Sequence, residues 1–228
     1  LRTQAELIQR EIDTGRASPD EMKRSLAQIA RASERAAHMV NQLLSMARAE
    51  DAEQALRREP VDLADVAIDT VRDFVPRALE RRIDLGYDGV VPDESRLRVQ
   101  GQPVLLGELV RNLVDNALLY TPAGGVVTVR VVEDPFGQVV VLQVEDTGPG
   151  IPPSEREKVF QPFYRSLGSG VEGSGLGLAI VQEIAVRHGA DVSIEDARTP
   201  TNAQQGPGAL FTVRFPMAPQ RPVPAQRG

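Results

Sequence analysis

The 228-residue sequence contains no cysteine, which excludes a disulfide framework and any thiolate metal site and leaves the compartment open. No run approaches the ~18 apolar residues of a membrane-spanning helix. The opening LRTQAELIQREID lacks the basic-then-apolar order of a signal peptide, so a soluble polypeptide is expected. Basic residues are not in excess: 26 Lys and Arg stand against 32 Asp and Glu, a net charge of −6. A pI near 5.1 argues against a general nucleic-acid binder, and any polyphosphate must be bound by a local site. Two nucleotide signatures are missing as well. No G-x-G-x-x-G joins a strand to a helix as in a Rossmann unit, and no G-K-[ST] of a Walker loop occurs. There is no internal repeat. The hydrophobic fraction of 41% is ordinary for a globular protein and allows one large or two small domains.

Met22, Leu26, Ile29, Ser33, Ala36, Val40, Leu43 and Ala47 follow the 4-3-4-3 spacing of a helix packed in a coiled-coil-like bundle. Ser18-Pro19-Asp20-Glu21 supplies its start, with a capping serine, a first-turn proline and a glutamate three residues after the cap; the helix is expected to reach about Glu50. Leu1, Ala5, Ile8 and Ile12 repeat the spacing in a shorter helix closed at Thr14-Gly15, so the two form a hairpin. The second helix would be roughly 48 Å long at ~1.5 Å per residue, and the first covers less than half of it. A further N-terminal segment is therefore expected. The small seam residues Ser33, Ala36 and Ala47 predict close packing in a four-helix bundle with a second copy, hence a homodimer.

The charged link Arg57-Arg58-Glu59-Pro60 marks a domain boundary near residue 58. Beyond it the pattern predicts a helix over Val61 to Leu79 and strands over Arg82 to Tyr87 and Leu97 to Val99. Pro103 opens a helix through about Leu119, and strands follow over Val126 to Val132 and Gln138 to Glu145. A glycine-rich stretch leads to a helix over Leu176 to Arg187, then strands near Asp191 to Ile194 and Ala209 to Phe215. The expected class is α+β, a sandwich with helices on one face of a largely antiparallel sheet. Residues 217–228, rich in proline and without apolar periodicity, are expected to form a disordered tail.

Asn112 and Asn116 are one helical turn apart on the same side, beside the apolar stripe of Leu109, Leu113 and Ala117. Amide oxygens suit a hard cation such as Mg²⁺, although an Asn pair alone reads more simply as solvated polar positions. Tyr120 is either a core aromatic or a platform for a flat base. Asp146-Thr147-Gly148-Pro149-Gly150-Ile151 follows the apolar strand VVVLQVE directly. A carboxylate at that strand end can accept from an exocyclic amino group, and the hexapeptide reads equally well as an ordinary turn. Gly173-Ser174-Gly175-Leu176-Gly177-Leu178 opens a helix, where glycines let backbone N–H groups approach phosphates; a glycine-rich hinge is the competing reading.

In this order, LVRNLVDNALLYTP, DTGPGI, FQPFYR and GSGLGLAIV resemble the N, G1, F and G2 boxes of two-component sensor histidine kinases. QLLSMARAE is similar to the end of their second dimerisation helix, and PGALFTVRFP to their final strand. The resemblance implies the Bergerat-type ATP-binding α/β sandwich over 58–216, preceded over 1–57 by part of the dimerisation and phosphotransfer hairpin. It implies that Asn116 and Asn112 hold Mg²⁺ on the phosphates, that Asp146 fixes the adenine amino group and that Tyr120 packs on the base. It further implies that Gly148 and Gly150 line the purine pocket. Gly173, Ser174, Gly175, Leu176 and Gly177 would shape the phosphate end of a lid over about Pro152 to Ser174, with Arg165 as its phosphate-contacting cation. The cofactors implied are ATP and Mg²⁺. The partners implied are a second copy and a response-regulator receiver domain, with no nucleic acid. The location implied is the cytoplasmic portion of a bacterial inner-membrane protein whose membrane segments lie upstream.

Leu119 departs from the family, which often has Lys or Arg just before the tyrosine; Lys158 and Arg165 are the nearest candidates to replace that charge. The H-E-L-R-T-P-L type segment that carries the phosphate-accepting histidine is also not present. Of the two histidines, His38 lies off the heptad seam and reads as solvated. His188 precedes Gly189 at a helix end, where a cation would favour the helix dipole. Neither replaces the acceptor. The chain is therefore expected to bind ATP·Mg²⁺ and act as phosphoryl donor without phosphorylating itself. The alternatives are an ATP-binding dimerisation scaffold whose parent is mainly a response-regulator phosphatase, and a serine kinase or gyrase-like ATPase of the same superfamily. The hairpin speaks against the last.

Overall fold

The computed structural model describes residues 58–90, 92, 97–134, 136, 139–165, 175–198 and 206–218. The hairpin and dimer seam expected over 1–57, His38, Gly173 and Ser174 lie outside the described residues.

The chain enters through strand β1 (Glu59–Asp62) and continues directly into helix α1 (Leu63–Glu80). The sequence pattern places a helix from Val61, but residues 59–62 are extended because they pair antiparallel with β3 (Arg98–Gly101), Glu59 opposite Gly101 and Asp62 opposite Arg98. Asp62 then caps α1 by accepting a hydrogen bond from the Ala64 N–H at 2.9 Å. Arg82, expected in a strand, instead takes a left-handed φ of 58° in the turn after α1, so β2 spans Asp84–Tyr87. Helix α2 (Pro103–Tyr120) opens on proline, whose missing N–H costs nothing in the first turn. Strands β4 (Val126–Glu133) and β5 (Val139–Asp146), a 3₁₀ turn at Lys158–Phe160, helix α3 (Gly177–Arg187) and strands β6 (Asp191–Asp196) and β7 (Ala209–Pro216) complete the order.

The main sheet runs β2-β4-β5-β7-β6; only β2 and β4 are parallel. Register puts Val129, Val144 and Phe211 in one row and Val131, Leu142 and Val213 in the next, so a single face of the sheet is apolar. That face is covered by the helices: α2 lies against α1 on one side and α3 on the other and reaches β4 and β5. Leu106, Leu109, Val110, Leu113, Val114 and Ala117 of α2 are all buried in this core. At about 1.5–3 kcal/mol for each large apolar side chain removed from water, the α2 stripe and the sheet face are what hold the layers together. The opposite face carries ion pairs at the surface, Arg130 with exposed Asp88 and with half-buried Glu145, 3.0 and 2.6 Å apart. These contribute little beyond solubility.

Two expectations are corrected at the chain's end and at α3. Met217 bridges Val99, and buried Ala218 donates its N–H to the Arg98 carbonyl at 2.7 Å, so the fold continues two residues into the segment read as tail. His188 is no exposed cation at the C-terminus of α3. It is buried, its Nδ1 lies 2.7 Å from the Ile184 carbonyl, and its Nε2 accepts the Gln102 N–H at 3.2 Å. Burial pushes its pKa down, helped by the Arg58 and Arg187 charges and opposed by the Ile184 bond, which fits a neutral ring protonated at Nδ1. Among the described residues no helix is long and apolar enough to cross a membrane.

Candidate functional site

The pocket side of α2 carries Asn112 and Asn116, while its opposite side is the buried stripe. The Asn112 amide is oriented by its own helix: Nδ2 donates to the Glu108 carbonyl at 2.8 Å and to Glu108 Oε1 at 3.2 Å. Its Oδ1 is left facing the start of α3, where a Cβ on Gly177 would sit 3.1 Å away. Glycine at 177 thus lets the helix terminus approach an amide oxygen without a side chain between them. The start of α3 has no side-chain cap hydrogen bond, and Leu176, Gly177 and Leu178 line the same space.

Asp146 ends β5 opposite Val127 and is 3% exposed. Its Oδ1 accepts the Gly148 N–H at 2.8 Å and the Ala209 N–H at 3.3 Å. No hydrogen bond among the described residues uses Oδ2, and the residue lines the cavity. Burial raises the carboxyl pKa above its ordinary value, and the two backbone hydrogen bonds and the Arg198 charge oppose that rise. Gly148 is wedged in place: a Cβ there would lie 2.9 Å from both Asp146 Oδ1 and the Tyr120 carbonyl. Gly150 has φ +77°, where any other residue would be strained, and a Cβ on it would meet Pro207 at 2.5 Å.

Opposite this loop, the segment from Ile151 to Arg165 is tied to the sheet edge by Arg156, whose Nε donates to the Ile151 carbonyl at 3.1 Å and whose Nη2 pairs with Asp196 at 2.5 Å. The two ends flanking residues 166–174 meet where the Phe163 N–H donates to the Gly175 carbonyl at 2.8 Å. Both residues have left-handed φ, 64° and 70°.

These elements enclose one cavity of about 700 Å³. Asn112, Asn116, Tyr120, Asp146, Gly150, Arg165, Gly175, Leu176 and Gly177 line it together; Gly148 stands just behind Asp146. Lys158, expected as a substitute cation beside Leu119, is exposed and absent from the lining, whereas Arg165 is present. Leu119 is itself part of the wall, and its carbonyl accepts from Arg81 Nη2 at 3.3 Å.

Sequence reading passed over several contributors. Asp115, between the two asparagines, lines the cavity and is ion-paired with Arg77 of α1. Ile151, Leu178 and Phe211 supply apolar walls. Asp115 had a signal, its place inside the asparagine motif; Phe211 read only as a strand residue, because its wall role depends on which strand neighbours β5.

Among the described residues there is no cluster of three or more His, Cys, Asp or Glu side chains able to hold a metal. The amide oxygens of Asn112 and Asn116, even with the neighbouring Asp115 carboxylate that pairs with Arg77, are too few for the six oxygens of Mg²⁺. They fit a cation that brings the remaining oxygens with it, on a polyphosphate and water. The apolar walls, the open Asp146 Oδ2 and the uncapped helix start together suit a flat amino-bearing heterocycle joined to an anion.

Residues 101–219, more than half of the chain, match the family described as histidine kinase-, DNA gyrase B-, and HSP90-like ATPase. The signal transduction histidine-protein kinase/phosphatase MprB of Mycobacterium avium (strain 104) is 37% identical over 98% of this chain and 40% of its own length. Sensor protein QseC of Escherichia coli (strain K12) is 35% identical over 90% of this chain and 42% of its own. The chain thus spans about two fifths of the curated relatives it matches. A solved structure of mycobacterial sensor histidine kinase MprB superposes with a TM-score of 0.59 at 34% identity, covering 72% of this chain and 99% of that one. The fold, the cavity and these likenesses agree, and the chain belongs to the histidine kinase-, DNA gyrase B- and HSP90-like ATPases, as a catalytic domain of the two-component sensor histidine kinases.

Proposed function

We propose that this chain is the phosphoryl-donor part of a sensor histidine kinase: it binds ATP·Mg²⁺ and presents the γ-phosphoryl group to a histidine, for relay to a response-regulator aspartate. The observation that carries the reading is the division of labour at Asp146. One carboxylate oxygen is consumed by its own loop and β7, and the other is left to the cavity that also holds the asparagine pair. In this reading Asp146 accepts the adenine amino group, Tyr120 packs on the base, and Gly148 and Gly150 keep the purine pocket free of side chains. Asn116 and Asn112 hold Mg²⁺, and Gly173 to Gly177 with Arg165 bound the phosphates. Mg²⁺ would supply neutralisation of phosphate charge; the chain's own share is to position the nucleotide and exclude water from it.

The division into a hairpin over 1–57, a catalytic domain from 58 through Ala218 and a tail beyond it is part of the proposal, its first boundary supported by the separation of two compact units between residues 56 and 57. So are a homodimer through the hairpin, a receiver-domain partner and a membrane attachment carried by upstream segments of the parent. The acceptor is not His188, because both of its ring nitrogens are engaged and the ring is buried. Titration with ATP and Mg²⁺, followed by incubation with γ-labelled ATP, tests this. The chain is expected to bind nucleotide and to acquire no base-stable, acid-labile label, whereas the longer protein with an H box acquires it. Failure to bind ATP overturns the donor assignment, and self-labelling overturns the acceptor assignment.

A further inference from the structure

Arg198 follows β6 and lies beneath the loop that carries Asp146. Its Nη2 donates to the Thr147 carbonyl and to the Gly206 carbonyl, both at 3.2 Å. Those carbonyls belong to backbone segments 59 residues apart in sequence by number (206 − 147), one directly after Asp146 and the other leading into β7. The same two segments are in direct contact. The Gly208 N–H donates to the Gly148 carbonyl at 3.1 Å, and a Cβ on Gly206 or Gly208 would collide with Gly148 or with the Asp146 carbonyl. The Nε of Arg198 is buried without a partner, a cost that a guanidinium placed for surface solubility would avoid by turning to water. The Gly148 and Ala209 N–H groups that hold Asp146 Oδ1 come one from each of the segments that Arg198 joins.

From this we infer that Arg198 is a positioning residue for base recognition: by joining the Thr147 and Gly206 carbonyls it fixes both N–H donors to Asp146 Oδ1, and so aims Oδ2 at the base. The inference rests on the nucleotide reading above. Base discrimination follows from it. At the ring position where adenine offers an amino donor to a fixed carboxylate, guanine carries a carbonyl oxygen that the carboxylate repels, and a carboxylate held in one direction cannot turn to guanine's own N–H donors. A loop that can turn loses both the attraction and the repulsion. The charge of Arg198 also favours ionised Asp146, against the burial of the carboxyl and the adjacent Glu145 charge, which itself is paired with Arg130.

Binding of ATP and of GTP, each with Mg²⁺, is measured across pH for the full chain and for Arg198→Ala, Arg198→Lys and Asp146→Asn, with thermal unfolding of each. Arg198→Ala is expected to weaken ATP about tenfold, as loss of a charge-assisted hydrogen-bond pair does. It should narrow the ATP-to-GTP ratio and move the acid limb of ATP binding to higher pH. Arg198→Lys keeps the charge without the planar fork, so it should restore the acid limb but not the ratio. If Arg198→Ala lowers the melting temperature and leaves the ratio and the acid limb of bound ATP unchanged, the residue is only structural and the inference fails. If it fails to fold, the Lys variant decides by the same two readouts, and a wild-type ratio there overturns the positioning role. Absence of ATP binding by the unsubstituted chain, or undiminished binding by Asp146→Asn, would instead refute the nucleotide reading itself.

Discussion

Asp146 sits under two opposed demands. As an unliganded group it is buried, and its raised pKa means that the folded chain holds a proton that the unfolded chain has released, within the window above the ordinary carboxylate value. Stability therefore falls as pH rises through that window, and the cost of the buried charge is fully felt above it. An amino donor in the cavity favours the ionised form, so nucleotide affinity has the opposite slope and weakens as pH drops into the same window. Replacement by asparagine separates the two effects. Asp146→Asn keeps an oxygen for the Gly148 and Ala209 N–H groups but presents an amide NH₂, a donor in place of an acceptor, to the base. Calorimetric titration is expected to find ATP affinity lower by about 100-fold, the worth of a buried charge-assisted hydrogen bond, while the unliganded melting temperature at neutral pH is equal or higher. A parallel loss of stability and binding would contradict this account.

At the scale of elements, α3 is the informative case. Its first residue is a glycine, a poor helix former, and it stands where Gly177 faces Asn112 Oδ1. Gly177→Ala should hold or slightly raise the melting temperature while weakening Mg²⁺-dependent ATP binding about tenfold, because the new methyl group presses on Asn112 Oδ1, the oxygen proposed to hold the cation. A titration with and without Mg²⁺ reads the effect, and equal affinities with the metal present would show that this approach does not matter. The element also shows what periodicity can reveal. The long stripes of α2 and the apolar runs of β4, β5 and β7 were legible because each repeats over several residues along one face. Strand β1 was not, since its four residues are strand only through β3, which lies far along the chain. The site divides in the same way. Asn112, Asn116, Asp146 and Gly177 stand inside local motifs, whereas Arg198 and Gly206 to Gly208 act through a tertiary approach that no local pattern encodes. His188 was misread for the same reason: its helix-end position is local, but its burial against Gln102 is not.

For the whole molecule, nucleotide is a stabiliser by mass action. If ATP·Mg²⁺ binds only the folded domain, a concentration of 100 Kd adds about 2.7 kcal/mol to unfolding free energy. Differential scanning with increasing ATP should raise the melting temperature logarithmically, and Asp146→Asn should flatten that response; a ligand effect that survives the substitution would place the binding elsewhere. Such a gain would be felt by the core itself, because α2 and β5 supply both buried apolar side chains and residues that line the cavity.

The hydrogen bond from the Ala209 N–H to Asp146 spans 63 residues of sequence and joins the start of β7 to the end of β5. Contacts of such separation close late, after loop entropy has been overcome by the rest of the sheet. The asparagine helix and the Asp146 loop are synthesised well before β7, yet the carboxylate has its final aim only once β7 has docked between β5 and β6. If ATP binds as proposed, full affinity therefore requires β7 in place, and nucleotide capture during synthesis would mark the moment at which the last long strand has docked.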